Sequence, residues 1–406
     1  MARVVEGPAA GALKKFEDDF AKSFGASSLV TPARSKYEVV STGSLTLDQA
    51  LGCGGVIVGR LVEIWGPGGV GKSTLSTIIA ANHQIQYPKR LVGWINVERT
   101  FDEDWATDHG MIMRRTRLYN PETSQDVGDA AQKMVRSGLF SIVVIDSIGG
   151  MIGKAEMEKD AEDAVVAETA RVVTRMVKQQ AVWADDNKTT VLLINQVRSQ
   201  IGSYGGGNTT GGGNALKHVT THKIRMRRTA TSPYMLTSKP EDGEAGIEIA
   251  AIVERNKVAP PMKIATFALF NQDSDKWGPM GIDMATEAQI MGLRYGVIEN
   301  PAQGTYQLPD REKPVRGKPA VLQALRESPE LLQMIRERIL AMSAGDVVGE
   351  LSDIEEDVEK DEDESAGPEV SEDKIEELFQ TGLPQDLDHD PAVLASPVLP
   401  VLVDQP

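Results

Sequence analysis

Residues 60–84, "RLVEIWGPGGVGKSTLSTIIAANHQ", constrain the fold more than any other stretch. An apolar, β-type run breaks into a glycine-rich loop, and the loop opens directly into a segment of helical periodicity. The same alternation recurs along the chain. The runs "RLVEIW", "LVGWINV", "FSIVVID" and "TTVLLINQ" predict strands, and stretches near 72–87, 124–137 and 163–185 predict helices between them. Continuous Val/Ile/Leu runs separated by helices belong to a sheet covered on both faces. The expectation for residues 38–270 is therefore an α/β core around a mostly parallel central sheet, with any ligand at the carboxyl ends of the strands.

Around that core the texture changes. Residues 1–37 contain "GALKKFEDDFAKSFG", which spaces Leu13, Phe16, Phe20 and Phe24 at three- and four-residue steps and predicts an amphipathic N-terminal helix that docks on the body or on a neighbour. Residues 271–344 read as a small α+β C-terminal domain ending in the helical "KPAVLQALRESPELLQMIRERIL". From residue 345 to 406 the chain holds 20 acidic residues against 2 lysines, so this tail carries −18 of the formal −16 and leaves +2 for everything before it. Self-repulsion and low hydrophobicity predict disorder in the tail, and a near-neutral folded part leaves room for basic patches. Within the tail, "IEELF" and "PVLPVLV" are candidate docking segments for accessory proteins, with unstructured filler as the alternative. The lone Cys53 makes no internal disulfide and no thiolate cluster, which fits a reducing cytoplasm. No apolar run approaches the roughly 18 residues of a membrane span, so no membrane association is expected.

The strand ends carry the chemistry. Gly66, Pro67, Gly68, Gly69, Val70, Gly71, Lys72, Ser73 and Thr74 form the pattern G-x-x-x-x-G-K-S-T between a strand and a helix. Backbone N–H groups of such a loop wrap phosphates, Lys72 reaches the β and γ phosphates, and Ser73 can ligate Mg2+. Asp146 ends "SIVVID" as a second candidate for the magnesium shell, or as an ordinary turn-capping aspartate. Glu98 ends "GWINVE" as a candidate to activate water at the γ-phosphate, and two carboxylates at neighbouring strand ends point to hydrolysis. Asp102 and Trp105 are spaced to face a nucleotide base with a polar edge and a flat ring, with core packing of the tryptophan equally open.

Gln196 ends "LLINQ", where its amide can sense the γ-phosphate. After it comes "IGSYGGGNTTGGGNALK", with seven glycines between Gly202 and Gly213, flanked by Arg198, Lys217, Lys223, Arg225, Arg227 and Arg228. A flexible linker is one reading. A loop of bare amides beside cations is also a grip for a phosphate backbone. Its members are Arg198, Tyr204, Gly205, Gly206, Gly207, Asn208, Gly211, Gly212, Gly213, Asn214, Lys217, Arg227 and Arg228. His218 and His222 are four apart and can share a helix face, but no Cys or carboxylate at suitable spacing completes a metal site.

Taken together, "VVSTGSLTLDQALGCGGVIVGRLVEIWGPGGVGKSTL", "VVIDSIGGMIGKAEME", the glycine-rich segment and "RNKVAPPMK" resemble the bacterial and phage RecA-type DNA recombinases, in family order over about residues 8–340. The resemblance implies a P-loop RecA-like ATPase core that uses ATP and Mg2+. It implies a homo-oligomeric helical filament on single-stranded DNA that pairs with homologous duplex DNA and exchanges strands in recombination and repair. By position, Lys72, Ser73 and Asp146 hold Mg-ATP, Glu98 activates water, and Gln196 couples the γ-phosphate to the glycine-rich segment. Residues 157–166 and 197–213 match the family's two DNA-binding loops. Arg255 and Lys257 match cations that reach the ATP of the next subunit, where they act as an arginine finger does; a solvated pair on a strand is the alternative. Gly68-Gly69-Val70, Arg255 and Val166 depart from the bacterial pattern, as in a divergent, phage-like member.

Two other readings share the strand-end residues: a RecA-fold hexameric helicase or motor, and an ATP-switched DNA-binding scaffold in which Glu98 never activates water. The stretch from Gly202 to Lys217 speaks against the motor, and turnover stimulated by single strands discriminates against the scaffold.

Overall fold

The computed structural model describes residues 10–24, 37–151, 164–199, 208–210, 214–229, 245–274 and 279–352. The chain divides into two compact units, residues 1–37 and 38–406. In the first, helix α1 (Ala10–Phe24) has the amphipathic stripe its spacing predicts, with the Phe16 and Phe20 rings 5.7 Å apart on one face. Phe16 is exposed.

The second unit is built on one large sheet of strands β3 (Leu61–Gly66), β4 (Leu91–Asn96), β5 (Thr116–Tyr119), β6 (Phe140–Asp146), β7 (Thr190–Ser199), β8 (Asn208–Thr210), β9 (His222–Arg228), β10 (Gly246–Asn256) and β11 (Lys263–Phe270). A two-stranded antiparallel sheet of β1 (Val39–Val40) and β2 (Val56–Ile57), joined through a short helix, precedes it. The strand order is β11-β10-β9-β3-β7-β6-β4-β5, with β8 added to β7. The run from β9 to β5 is parallel, while β10, β11 and β8 are antiparallel to their neighbours. Every residue of β3 and β6 is buried, which is why these strands read as largely apolar runs, broken only by the buried Glu63, Ser141 and the strand-end Asp146.

Helix α3 (Lys72–Gln86) covers one face, placing Leu75 and Ile79 against Val62, Ile64, Trp94, Ile142 and Leu192. Burial of each such side chain contributes roughly 1.5–3 kcal/mol. Helices α5 (Ser124–Arg136) and α6 (Ala164–Asn187) cover the other face with Val127, Ala131, Val135, Val173, Met176 and Val177. Helix α5 begins with a capping box in which Thr123 and Asp126 satisfy each other's backbone amides. Two short helices complete this part, α4 (Glu103–Asp108) after β4 and α7 (Asn214–Val219) beside α6.

A third core is formed by α8 (Met284–Arg294), a small antiparallel sheet of β12 (Glu299–Ala302), β13 (Thr305–Gln307) and β14 (Val315–Arg316), α9 (Lys318–Glu327) and α10 (Pro329–Ser352). Leu45 of helix α2 (Leu45–Ala50) is buried in it. Glu287 of α8 accepts from Ser44 Oγ at 2.9 Å and from the amides of Leu45 and Thr46, satisfying the free N–H groups at the N-terminus of α2. Arg336 of α10 donates to the fully buried Asp48 of α2 at 2.9 Å. Helix α10 continues past residue 345; residues 353–406, most of the acidic tail, lie outside the described residues, as do residues 157–163 of the first loop expected at 157–166, whose last three residues begin α6. No described helix is long and apolar enough to cross a membrane.

Candidate functional site

Register brings the predicted strand ends together. Gly66 of β3 pairs with Gln196 of β7, and Asn96 of β4 pairs with Asp146 of β6, so the carboxyl-end portions of four adjacent parallel strands meet on one edge of the sheet, with β7 running on to Ser199. Two glycines shape the loop that leaves β3. A Cβ on Gly66 would sit 2.2 Å from the Met226 carbonyl oxygen of β9. Gly71 has φ 74°, and a Cβ there would meet Leu269 at 2.3 Å. Gly71 is also the N-cap of α3 and supplies no side-chain bond, so the first N–H groups of a 15-residue helix face the loop without a side-chain acceptor. Pro67, Gly68 and Gly69 form an exposed rim, and Val70 tucks into the core.

Lys72 is buried and donates to the Gly66 carbonyl at 3.0 Å and to that of Pro67. Burial lowers its pKa, against the pull of Asp146 and Glu98. Ser73 Oγ donates to Asp146 Oδ2 at 2.8 Å. Burial raises the Asp146 pKa to about 6, with the Ser73 bond and Lys72 opposing and Glu98 adding to the rise. A hydroxyl and a carboxylate in contact, beside an ammonium and a helix N-terminus, are the donor set of a magnesium–phosphate site, so the residues present fit that pair of ligands.

Glu98 sits two residues beyond β4. The Asp146 carbonyl accepts from the amides of Val97 at 2.7 Å and Glu98 at 3.3 Å, fixing the backbone there, and the Asp146–Ser147 peptide is cis. Ser147 Oγ and Gln196 Nε2 both donate to Glu98 Oε1, the latter at 2.6 Å. Ser147 carried no signal in the sequence beyond its place after the strand-end aspartate. Asp102 caps α4, its Oδ1 accepting the Trp105 amide at 2.9 Å, and the Trp105 ring lies 4.5 Å from that of His109.

Past Gln196, β7 continues through Arg198 to Ser199 and pairs with β8 at Thr209 and Asn208. Of the glycine-rich segment, Tyr204, Gly205, Gly206, Gly207, Gly211, Gly212 and Gly213 lie outside the described residues. Asn214 and Lys217 are on α7, and Arg227 and Arg228 end β9 beside the phosphate loop. Lys257 Nζ closes the carboxyl end of α7 by donating to the carbonyls of His218 at 2.7 Å and Val219 at 3.3 Å. Arg255 pairs with Lys223 across the β10–β9 ladder, is half-buried, and its side chain makes no hydrogen bond or ion pair among the described residues. His218 is the penultimate residue of α7 whereas His222 begins β9, so the helix face that their spacing permits does not form.

One basic feature is invisible to motif patterns. Arg171, Arg175 and Lys178 fall at i, i+4 and i+7 on α6 and, with Thr174, line a shallow cleft of about 470 Å³. The signal was in "RVVTRMVK", whose Val173, Met176 and Val177 face the core and turn the cations outward.

The comparisons with known proteins agree on one family. The model of the RecA N-terminal domain matches residues 10–274. Protein RecA of Nautilia profundicola is 34% identical over 349 residues, covering 84% of this chain and 93% of that protein. Protein RecA of Chlamydia abortus is 32% identical over 329 residues (80% and 89%), and that of Arthrospira platensis 32% over 372 residues (90% and 97%).

Proposed function

The chain belongs to the RecA family, and from that membership together with the strand-end cluster we propose that it is an ATP-dependent recombinase. It assembles on single-stranded DNA as a helical filament, pairs that strand with a homologous duplex and hydrolyses ATP as it does so. The observation that carries the reading is the Gln196–Glu98 hydrogen bond, which joins the candidate water-activating carboxylate to the strand that leads into the glycine-rich segment.

In this reading the backbone amides of Gly68 to Thr74 cradle the phosphates and Lys72 leaves its carbonyl partners to neutralise the β and γ oxygens. Ser73 and Asp146 hold magnesium, which supplies charge neutralisation at the transferring phosphoryl group. Both donors to Glu98 end on Oε1, leaving Oε2 to orient a water and take its proton. Asp102 and Trp105 flank the base. Arg255 and Lys257 reach the nucleotide of an adjoining subunit, so turnover depends on assembly. Gln196 exchanges Glu98 for the γ-phosphate, and that exchange moves β7 and the segment after it. The helix stripe Arg171, Arg175 and Lys178 joins the glycine-rich segment, Arg198, Lys217, Arg227 and Arg228 as the grip on DNA phosphates.

ATP turnover with and without single-stranded DNA tests the proposal. DNA-stimulated turnover in the wild type, lost on the order of 100-fold in Lys72→Ala, is the expected result. Turnover indifferent to DNA, or to Lys72, contradicts it.

A further inference from the structure

Strand β10 carries one residue too many for its partner. Val253 pairs with Ile224 of β9 and Arg255 with Lys223, so two steps along β10 match one along β9 and Glu254 is the extra residue of a bulge. A bulge bends its strand and re-aims the side chains beyond it. Here those side chains belong to Arg255, Asn256 and Lys257.

The Glu254 side chain is tied down on three sides. It accepts the Trp65 indole N–H at 2.9 Å, pairs with Arg225 at 3.1 Å and lies 4.0 Å from the Lys223 ammonium. Both cations also lie over the Trp65 ring, at 4.8 and 5.8 Å from its centroid. Lys223 is shared with the fully buried Glu63, 3.9 Å away, which Asn195 holds with a 2.9 Å hydrogen bond. Two carboxylates thus balance two cations, and removing Glu254 would leave Arg225 and Lys223 crowded on Trp65 with one anion between them. On the other side of Arg255, Asn256 is equally fixed: its Nδ2 donates to the Leu51 carbonyl at 3.0 Å and its Oδ1 caps the amides of Val258 and Ala259. The Arg255 side chain, with no hydrogen bond or ion pair among the described residues, stands between two pinned neighbours, and Trp65 is the residue directly before Gly66 of the phosphate loop.

We propose that Glu254 is a positioning residue for Arg255: tied to Trp65, Lys223 and Arg225, it holds the bulge that aims the Arg255 guanidinium at the nucleotide of an adjoining subunit. The inference rests on the proposed action of Arg255 across a subunit boundary. It adds that this aim is set by an ionic cluster continuous with the strand that opens the cation-bearing subunit's own phosphate loop.

The test uses the full chain with single-stranded DNA and four variants: Glu254→Ala, Glu254→Gln, Arg255→Ala and Lys72→Ala. Misplacing a charge-stabilising group by about 1 Å costs on the order of 100-fold in rate. Glu254→Ala is therefore expected to lose between about 10- and 100-fold of the DNA-stimulated kcat while its KM for ATP stays within about 3-fold. Glu254→Gln recovers part of the loss, because its carbonyl still accepts from Trp65. A subunit with Glu254→Ala keeps its own phosphate loop, and one with Lys72→Ala keeps its Arg255. Mixing the impaired Glu254→Ala with the inactive Lys72→Ala therefore creates complete boundaries and raises turnover above the sum of the two alone, as mixing Arg255→Ala with Lys72→Ala does.

If Arg255→Ala complements Lys72→Ala while Glu254→Ala keeps the wild-type kcat, the positioning role is overturned and the reading of Arg255 stands. It is also overturned if Glu254→Ala is impaired but is not rescued by the mixture that rescues Arg255→Ala. Full activity of Arg255→Ala removes the reading beneath it. Should Glu254→Ala fail to fold, the near-isosteric Glu254→Gln carries the same kcat and mixing criteria.

Discussion

The side-chain amide of Gln196 donates to the Glu98 carboxylate across 2.6 Å, joining the ends of two strands separated in the sheet by β6. A single bond thus connects the residue set to activate water with the strand that enters the glycine-rich segment. Replacing Gln196 by Ala removes the connection and leaves the phosphate loop untouched. Nucleotide binding should persist within a few-fold, while stimulation of turnover by single-stranded DNA falls on the order of 10-fold or more. Nucleotide titration and turnover with and without DNA separate the two effects, and undiminished stimulation would remove Gln196 from the coupling.

The stripe Arg171, Arg175 and Lys178 presents cations at one face of α6. Alanine at any of the three should weaken binding to all single strands alike and reduce the slope of log K against log salt by about 0.7 for each phosphate no longer neutralised. Equilibrium binding across a salt series measures this. A changed sequence preference with an unchanged slope would assign the stripe another role.

Glu287 supplies a pH dependence of stability with a definite sign. Burial pushes its pKa up to about 8 from an ordinary 4.5, against the Ser44 hydroxyl and the Leu45 and Thr46 amides, with buried Asp48 adding to the rise. The folded state therefore holds a proton that the unfolded chain has released. Its contribution is fully present below about pH 4.5 and is lost as pH rises through about 8, at no more than about 1.4 kcal/mol per pH unit. Asp48 and Asp146, also raised by burial, act in the same direction. Glu287→Gln cannot titrate, so its thermal midpoint should fall less steeply than that of the wild type between about pH 5 and 8, a range set by the linkage window. Parallel slopes for the two proteins would contradict the assignment.

A tail carrying −18 is expected to compete with DNA for the cationic surfaces of the folded part. Truncation after Ser352 keeps α10 whole and removes most of the 20 acidic residues beyond residue 344. The shortened protein should bind DNA more tightly and demand less magnesium. Equal affinity and an equal salt slope in both forms would show that the tail does not compete.

Much of this was legible in the sequence because its signals are local. Runs buried on both faces have no polar alternation, so "FSIVVID" and "TTVLLINQ" announced β6 and β7, and the residue closing each run fell at the end of the sheet where the site assembles. The phosphate loop is legible for the same reason, since Gly66 and Gly71 answer to backbone approach and a positive φ. The concealed part was made by register. Nothing local says that Gly66 pairs with Gln196, that Ser147 and Gln196 meet on one oxygen of Glu98, or that Glu254 is an extra residue opposite β9. Glu287 was hidden likewise, because a carboxylate on an amphipathic helix reads as solvated until α2 is found against it. The shared helix face that the four-residue histidine spacing allows is absent because Thr220 and Thr221 separate α7 from β9.

The central claim is that ATP-driven assembly serves recognition of homology, and joint-molecule formation between a labelled single strand and a supercoiled duplex tests it most directly. With Mg-ATP, homologous pairs should yield joint molecules and heterologous pairs none. Products from both pairs alike, or from neither while DNA-stimulated turnover is intact, would contradict the recombinase reading.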